Sequence, residues 1–207
     1  MQKGALLVDI ASAKEDVVDK MRGLKADLEL VSLHPLFGPG ASDIRDKTFV
    51  AIPVRPGGRY DEFKRWLEGL GGRVVEMEAG DHDRLMAITQ CMTHFILMSY
   101  LSALRKMKNV ERAEKLQTPM SSVLFNLAKA FLATNPDVLG ELQVENRYAS
   151  IVRSAMLEAC RSVDMALETR DIKAVQEIFE EARKLLGPTE VRAAYRDLYE
   201  KLEGKKT

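Results

Sequence analysis

The feature that most constrains the fold is a change of pattern near residue 80. Before it, short apolar runs alternate with amphipathic stretches, which predicts strands alternating with helices in a mostly parallel α/β sheet. After it, apolar residues recur at helical spacing over long stretches. We therefore predict two domains: residues 1–79 form an α/β domain, and residues 80–207 form an all-helical domain.

Local signals set the expected element boundaries. Asn135-Pro136, Asp171 and Gly187-Pro188 are typical helix start and stop signals. The predicted strands are 5–10, 28–32, 48–53 and 73–77, and the predicted helices are 14–22, 59–70, 81–107, 121–133, 136–167, 171–186 and 188–202.

Composition excludes several classes of partner. Lysine and arginine total 31, as do aspartate and glutamate, so there is no basic excess for nucleic acid. Early charges exclude a signal peptide, and no apolar run is expected to approach the roughly 18 residues of a membrane span. We expect a cytoplasmic protein with no membrane partner. Cys91 and Cys160 lie in apolar helical sequence and are predicted to be reduced and buried, with no metal site.

The first candidate segment is VDIASAK, where a buried strand ends in polar residues. Ligands of parallel sheets bind at the carboxyl ends of strands, and this places Ser12 and Lys14 at such an end. The alternative is that Ser12 caps the next helix, with Glu15 completing a capping box.

The second segment is VSLHPLFGPG, a strand that runs into a loop rich in proline and glycine. Pro35 biases His34 away from helical backbone angles, so the loop is expected to hold the imidazole in a fixed direction. Such a histidine could accept a proton at neutral pH. The alternative is an incidental loop histidine.

The third segment, GDHDRLMAITQCMTHF, opens the helical domain. Asp81 is expected to cap the helix, and Asp83 lies in the first turn, where the dipole favours an acid. Gln90 and His94 are spaced i, i+4 and share a face, which suggests a ligand or, for His94, a core histidine bonded to a carbonyl. His82 is either a solvated cap residue or functional.

Taken in order, VDIASAK, HPLFGP, HDRLMAITQCMTHF and the later ENR resemble the prephenate and arogenate dehydrogenases of tyrosine biosynthesis. The resemblance runs from Ala5 to at least Arg161. It implies the C-terminal part of a Rossmann-like parallel sheet followed by a helical dimerisation domain, and hence a homodimer.

The family resemblance also implies a reaction and site residues. NAD or NADP takes a hydride from the substrate ring while the C1 carboxylate leaves as carbon dioxide. His34 matches the histidine that accepts the proton of the 4-hydroxyl, and Ser12 matches the serine that orients it. Arg147 matches a helix arginine that binds substrate carboxylate. Further predicted site residues are His82, Gln90 and His94 for substrate, and Ala11, Ser12 and Pro35 at the nicotinamide end.

Two departures from the family pattern leave alternatives open. Cys91 stands where some members have histidine, so prephenate and arogenate are not distinguished. No G-x-G-x-x-G follows a strand, so the first half of the dinucleotide-binding domain is expected to be missing and NAD versus NADP stays open. An incomplete gene sequence, a separate nucleotide-binding polypeptide, or a non-catalytic relative that binds prephenate or tyrosine as a sensor or dimerisation module would each explain this.

Overall fold

The computed structural model describes residues 3–204. The chain divides into two compact units: unit 1 contains residues 3–92 and 137–152, and unit 2 contains residues 93–136 and 153–204. This division differs from the predicted boundary between residues 79 and 80. The reason is that residues 80–92 and 137–152 make their contacts within unit 1: the Asp83 carboxylate accepts from Lys14 N, and Asn146 Nδ2 donates to the Asp83 carbonyl.

Unit 1 is built on a four-stranded mixed sheet with the order β1-β2-β3-β4. β1 is parallel to β2 and β3 is parallel to β4, whereas β2 and β3 are antiparallel. The predicted class, a Rossmann-like α/β part followed by helices, is confirmed. The elements are β1 (Ala5–Asp9), α1 (Glu15–Arg22), β2 (Leu28–Pro35), β3 (Thr48–Arg55), α2 (Gly58–Gly69) and β4 (Arg73–Glu76).

The antiparallel pairing of β2 with β3 departs from the expected parallel arrangement. Residues 36–47 join these strands without a helix, and a parallel pair needs a long crossover that is usually helical. Leu36 N donates to Thr48 O at 2.9 Å, which continues the antiparallel pairing just beyond β2. β1 and β2 still end at the same edge of the sheet, as the prediction of a ligand edge requires.

Side chains of β2 alternate between the two faces of the sheet. Val31 and Leu33 pack on the face that α2 covers. Leu30 lies on the opposite face, in a cluster with α1. By the same alternation, His34 faces the side of the sheet where α1 and α3 (Ala79–Met86) pack.

From Ala79 onward the described chain is helical. Ala79–Leu104 forms one helix, in which α3 and α4 (Met92–Leu104) flank a π-helical turn, Ala87–Cys91. The sequence does not predict a short helix that the structure shows at Val110–Glu114, because its five residues are too few for a periodic signal. The remaining helices are α5 (Val110–Glu114), α6 (Pro119–Phe131), α7 (Pro136–Glu145), α8 (Ala149–Glu168), α9 (Ile172–Leu186) and α10 (Pro188–Leu202).

Within the described residues, Ala79–Leu104 is the one helix that could cross a membrane by length and composition. Its most apolar window has a mean hydropathy of 1.2, and 22% of that window is buried. The expectation that no apolar run approaches a span is therefore wrong for this segment. The core helices of soluble proteins can have the same length and composition, and the absence of a membrane partner stays a prediction.

Residues 146–148 interrupt the single helix predicted over 136–167. Asn146 accounts for the break, because its Oδ1 accepts a hydrogen bond from Tyr148 N at 2.9 Å. An asparagine bonded in this way to an amide two residues on favours a turn. Arg147 therefore lies in a turn between α7 and α8, and the expectation of a helix arginine is wrong in that respect.

Unit 2 buries few apolar side chains. In its described part the buried apolar residues are Leu97, Ala128 and Ala166, while Phe179 and Leu185 are 64% and 84% exposed. α10 packs against α6 and α9. Apolar helix faces in this unit are thus left largely uncovered within one chain.

Both cysteines are free. Cys91 is buried, as predicted, in a cluster with Leu142 and Val152 of unit 1. Cys160 is exposed on α8, so its predicted burial is wrong. The helical period predicts that a helix has an apolar face. It does not predict whether other residues of the same chain bury that face.

Candidate functional site

His34 lies within β2, one residue before the strand ends at Pro35. Its Cα partner across the sheet is Val50, so main-chain pairing sets the direction of the imidazole. The prediction of a loop histidine is wrong in this respect, because pairing with β3 extends the strand past Ser32. His34 is 5% exposed and lies at the edge where β1 and β2 both end.

His82, in the first half of α3, contacts His34 directly. His34 Nδ1 and His82 Nε2 are 2.8 Å apart, and His82 Nδ1 is 2.8 Å from Asp83 Oδ1. His82 is fully buried, so it is not a solvated cap residue. Because both of its ring nitrogens have protein partners, the predicted direct contact between His82 and substrate does not fit this geometry. The N-cap of α3 is Glu78, not Asp81 as predicted.

Asp83 connects the two histidines to the beginning of α1. Its carboxylate accepts hydrogen bonds from Lys14 N at 2.9 and 3.1 Å and from Glu15 N at 2.9 Å. These amides belong to the helix start, where donors lack intrahelical partners. The N-cap residue Lys14 makes no side-chain cap, so the capping-box alternative for Ser12 is wrong. A carboxylate from another helix caps α1 instead.

A partly buried ion pair lies beside the end of β2, with the Lys14 side chain fully buried and that of Asp9 21% exposed. Lys14 Nζ donates to Asp9 Oδ2 at 3.1 Å and to the Leu33 carbonyl at 2.9 Å. Ser32 Oγ donates to the same Asp9 oxygen at 2.6 Å. Burial lowers the pKa of Lys14, and the charge of Asp9 opposes that shift. The bond to Leu33 ties the segment after β1 to the residue that precedes His34.

Protonation states follow from burial and these contacts. Burial, together with His82 and the charge of Lys14, lowers the pKa of His34 to about 3, against an opposing effect of Asp83. Burial alone would raise the pKa of Asp83, but hydrogen bonds from His82 and from the amides of Glu15 and Lys14 hold it below its usual value. At neutral pH His34 is therefore uncharged, and Asp83 is an anion that only accepts hydrogen bonds.

Arg147 reaches the first turn of α1. Its Nη2 donates to Asp16 Oδ1 at 2.5 Å, and its Nε lies 3.8 Å from Glu15 Oε2. The side chain is 56% exposed, and the two carboxylates raise its pKa.

Ser12, His34 and Arg147 all belong to unit 1, but among residues 3–204 no hydrogen bond joins them directly. Asp83 links their three segments. It bonds to His82 behind His34 and to the amides two and three residues after Ser12. Its carbonyl also accepts from Asn146 Nδ2 at 2.8 Å, next to Arg147.

Gln90 and His94 lie in different units and are described separately. Gln90, in the π-helical turn of unit 1, has a buried Oε1 without a hydrogen-bond partner in the described chain. His94, in unit 2, has a buried Nδ1 that likewise lacks a partner among these residues, and its ring lies 5.4 Å from that of Phe131. Burial lowers the pKa of His94. The alternative of a core histidine bonded to a backbone carbonyl finds no support at Nδ1 of His94.

The residues predicted for the nicotinamide end lie at the ends of β1 and β2. Ala11 is exposed, and Ile10 beside it is 68% exposed, so this edge offers an open apolar surface. A polar cavity of about 130 Å³ lies elsewhere in unit 1 and includes no predicted site residue. Its lining consists of Glu15, Asp19, Arg22, Glu78, Ala79 and Gly80.

Sequence reasoning missed the roles of Asp83 and Asn146. The sequence places Asp83 in the first turn of its own helix, but the amides that its carboxylate caps belong to Lys14 and Glu15, far away in the chain. Asn146 was hidden in an unbroken helical period, although asparagine favours turns and caps. No metal-binding group of three or more His, Cys, Asp or Glu side chains occurs in the described ranges.

Comparisons with known proteins agree with this architecture. A family model described as "Prephenate dehydrogenase, dimerization domain" matches residues 78–181, half of the chain. The chain belongs to this family, and the resemblance stated from its motifs is confirmed.

The most informative relatives are longer than this chain. The "Probable arogenate/prephenate dehydrogenase" of Methanocaldococcus jannaschii is 24% identical over 94% of this chain and 45% of its own length. The "4-amino-4-deoxyprephenate dehydrogenase" of Streptomyces pristinaespiralis is 27% identical over 90% of this chain and 63% of its own length. The chain thus spans about half to two thirds of these relatives.

Solved structures establish the fold. Prephenate dehydrogenase from Aquifex aeolicus, in complex with hydroxyphenyl propionate and NAD+, superimposes with a TM-score of 0.67 at 17% identity, covering 90% of this chain and 68% of that one. Synechocystis arogenate dehydrogenase gives a TM-score of 0.66 at 14% identity, with 86% and 67% covered.

Proposed function

We propose that this chain supplies the substrate-binding and proton-accepting part of a prephenate or arogenate dehydrogenase. The observation that carries the proposal is the buried contact chain of His34, His82 and Asp83 at the ligand edge of the sheet, in a member of this family. The reaction oxidises and decarboxylates a cyclohexadienol substrate, and NAD(P), when bound, accepts the hydride.

His34 is the proposed proton acceptor. Its Nδ1 is occupied by His82, which leaves Nε2 for the 4-hydroxyl of the substrate. The residue is uncharged at neutral pH, as a general base must be before it acts. Ser12, at the end of β1, is proposed to orient the same hydroxyl, because in the described chain its Oγ has no other hydrogen-bond partner.

Arg147 is the proposed carboxylate ligand. A guanidinium binds a carboxylate through two parallel hydrogen bonds, and the present partner of Arg147 is already a carboxylate, that of Asp16. Substrate binding would thus exchange one carboxylate for another. Gln90 of unit 1 and His94 of unit 2 each stay proposed as a substrate-binding residue, because each has a buried polar atom that lacks a hydrogen-bond partner in the described residues.

The nicotinamide end of NAD(P) fits the edge formed by Ala11, Ser12 and Pro35. The fit rests on the exposed apolar surface at Ile10 and Ala11, against which a flat ring can pack. The chain contains no glycine-rich fingerprint for the pyrophosphate. We therefore propose that another polypeptide segment, joined or separate, holds the remainder of the cofactor.

A homodimer is the proposed assembly. The matching family model is a dimerization domain, and large apolar side chains of unit 2, including Phe179 and Leu185, are exposed in one chain. Apolar patches of this kind mark protein interfaces. Sedimentation at micromolar concentration should give a dimer, and a monomer would contradict this part of the proposal. A cytoplasmic location stays a prediction from the sequence.

The proposed function is tested by assaying the chain fused behind the part of the A. aeolicus enzyme that precedes the counterpart of Ala5. The substrates are prephenate, arogenate and 4-amino-4-deoxyprephenate, each with NAD+ and NADP+, and reduced nicotinamide is measured. We expect turnover of at least one substrate, with His34→Asn lowering kcat about a thousandfold. A folded fusion without turnover, or an active His34→Asn variant, would refute the proposal.

Calorimetry with prephenate and tyrosine then tests whether the chain only binds these ligands.

A further inference from the structure

The contacts of Asp83 determine which nitrogen of each histidine carries a proton. Asp83 is an anion with no proton to donate, so His82 Nδ1 must donate to its Oδ1. With His82 neutral, its one N–H is the one given to Asp83, and its Nε2 is an acceptor. His34 Nδ1, 2.8 Å away, must donate to it. Nε2 of His34 is left unprotonated.

We propose that Asp83 and His82 are positioning residues that fix this tautomer of His34 and so keep its Nε2 available as a proton acceptor. This rests on the proposed function above. In the proton transfer, the O–H bond of the substrate hydroxyl breaks and an N–H bond forms at His34 Nε2. The resulting positive charge lies next to His82, whose ring passes a hydrogen bond on to the Asp83 carboxylate.

The backbone of α1 prevents the carboxylate from turning away. Asp83 Oδ2 accepts from both Glu15 N at 2.9 Å and Lys14 N at 3.1 Å, whereas Oδ1, which faces His82, accepts from only one of these amides, Lys14 N, at 2.9 Å. An asparagine at this position would therefore keep its oxygen towards these two amides and direct its NH2 group at His82 Nδ1. His82 would then carry its proton on Nε2 and donate to His34 Nδ1. His34 would in turn be protonated on Nε2 and could not accept the substrate proton.

The same reasoning separates two substitutions of His82. A glutamine can place its Oε1 near the former Nε2 and accept from His34 Nδ1, which preserves the tautomer of His34. A leucine of similar volume offers no acceptor. His82→Gln should therefore retain activity that His82→Leu loses, although both substitutions remove the bond to Asp83. A purely structural role for His82 would not order the two variants in this way.

The test reads the histidine nitrogens directly in the 207-residue chain by NMR with 15N-labelled histidine. The chain has three histidines, and His94 serves as an internal reference. We expect both His34 and His82 to be protonated on Nδ1 alone near neutral pH, and Asp83→Asn to move both protons to Nε2. A doubly protonated His82, or His34 protonated on Nε2 in the unsubstituted chain, would overturn the proposal without any assay of activity.

Activity in the fusion provides the second readout. Asp83→Asn and His82→Leu should each lower kcat about a thousandfold with little change in KM, as expected when a wrong tautomer removes the base. Glu29→Gln, a helix-capping carboxylate without a histidine neighbour, is the matched control and should change neither tautomers nor kcat. If the tautomers are as proposed but the unsubstituted fusion is inactive, the proposed function fails while the tautomer assignment stands. If the fusion is active and Asp83→Asn keeps its kcat, the positioning role is wrong.

Discussion

Two helices of unit 1, α1 and α2, begin in the same unusual way. Comparing them distinguishes a carboxylate that only caps a helix from one that also contacts the candidate catalytic histidine. Neither α1 nor α2 has a side-chain cap at its own N-cap residue. A carboxylate from elsewhere caps each: Asp83 accepts from Lys14 N and Glu15 N, and Glu29 accepts from Arg59 N and Tyr60 N at 3.2 and 2.8 Å. Each carboxylate satisfies amides that a helix start leaves unpaired.

The two caps differ in what else the carboxylate contacts. Asp83 is buried and also accepts from His82, which contacts His34. Glu29 is partly exposed on β2 and has no histidine neighbour among its hydrogen bonds. The cap at Glu29 therefore accounts only for the start of a helix, whereas the cap at Asp83 also sets the state of the candidate base. The comparison shows that a local structural requirement and a catalytic one can be met by the same carboxylate.

The largest expected effect on stability comes from removing the buried cap. Asp83→Ala leaves His82 Nδ1 and the first amides of α1 without their acceptor in a buried position, and should cost about 3 kcal/mol of unfolding free energy. Urea unfolding followed by the fluorescence of Trp66, the single tryptophan, reports on unit 1. If Asp83→Ala lowered the free energy of unfolding no more than Glu29→Ala does, the burial of Asp83 would not make its cap more stabilising than that of Glu29.

The second prediction concerns pH. Burial lowers the folded-state pKa of His34 to about 3, below the value near 6.5 of an unfolded histidine. Between these values the unfolded chain binds the extra proton, so stability should fall as pH falls, by up to about 1.4 kcal/mol per unit from this group. His34→Asn, which keeps a donor towards His82, should remove that part of the slope. The remainder should come from His94, whose pKa burial also lowers, and from carboxylates whose pKa values lie below their usual range, among them Asp9, Glu76 and Asp83. An unchanged slope in His34→Asn would show that His34 is not held neutral by the fold.

Sequence reasoning recovered the elements better than their connections. The strands and the helical second half follow from apolar periods, and their predicted limits agree with the structure to within a few residues. The wrong predictions concern contacts between segments that are distant in the sequence, or a local turn that the apolar period does not reveal. Pairing with Val50 extends β2 through His34, and Asn146 breaks a helix whose apolar period is continuous. The role of Asp83 depends on amides 68 and 69 residues away in the chain. The residues next to Asp83 in the sequence do not predict such a distant contact.

A smaller effect is expected at the second cap. Glu29→Ala should cost about 1 kcal/mol, the usual value for losing a helix cap. Gly57→Ala offers an independent check, because a Cβ there would lie 2.5 Å from Glu29 Oε1 and displace the carboxylate. Urea unfolding at several pH values measures both. If either variant altered the slope that His34 produces, the two caps would not be independent.

The smallest effect on stability is expected from the exposed partner of α1. Asp16→Asn weakens the pair with Arg147 at the surface, and surface pairs of this kind contribute little to stability. Its effect should appear in binding instead, because Asp16 competes with the substrate carboxylate that Arg147 is proposed to hold. In the active fusion, Asp16→Asn should lower KM and leave kcat unchanged, whereas Arg147→Lys should raise KM, since an ammonium lacks the paired donors of a guanidinium. If KM were unchanged in both variants, Arg147 would not bind the substrate carboxylate and Asp16 would not compete with it. The contact of α1 with Asp83 would then be the remaining connection between this helix and the candidate site.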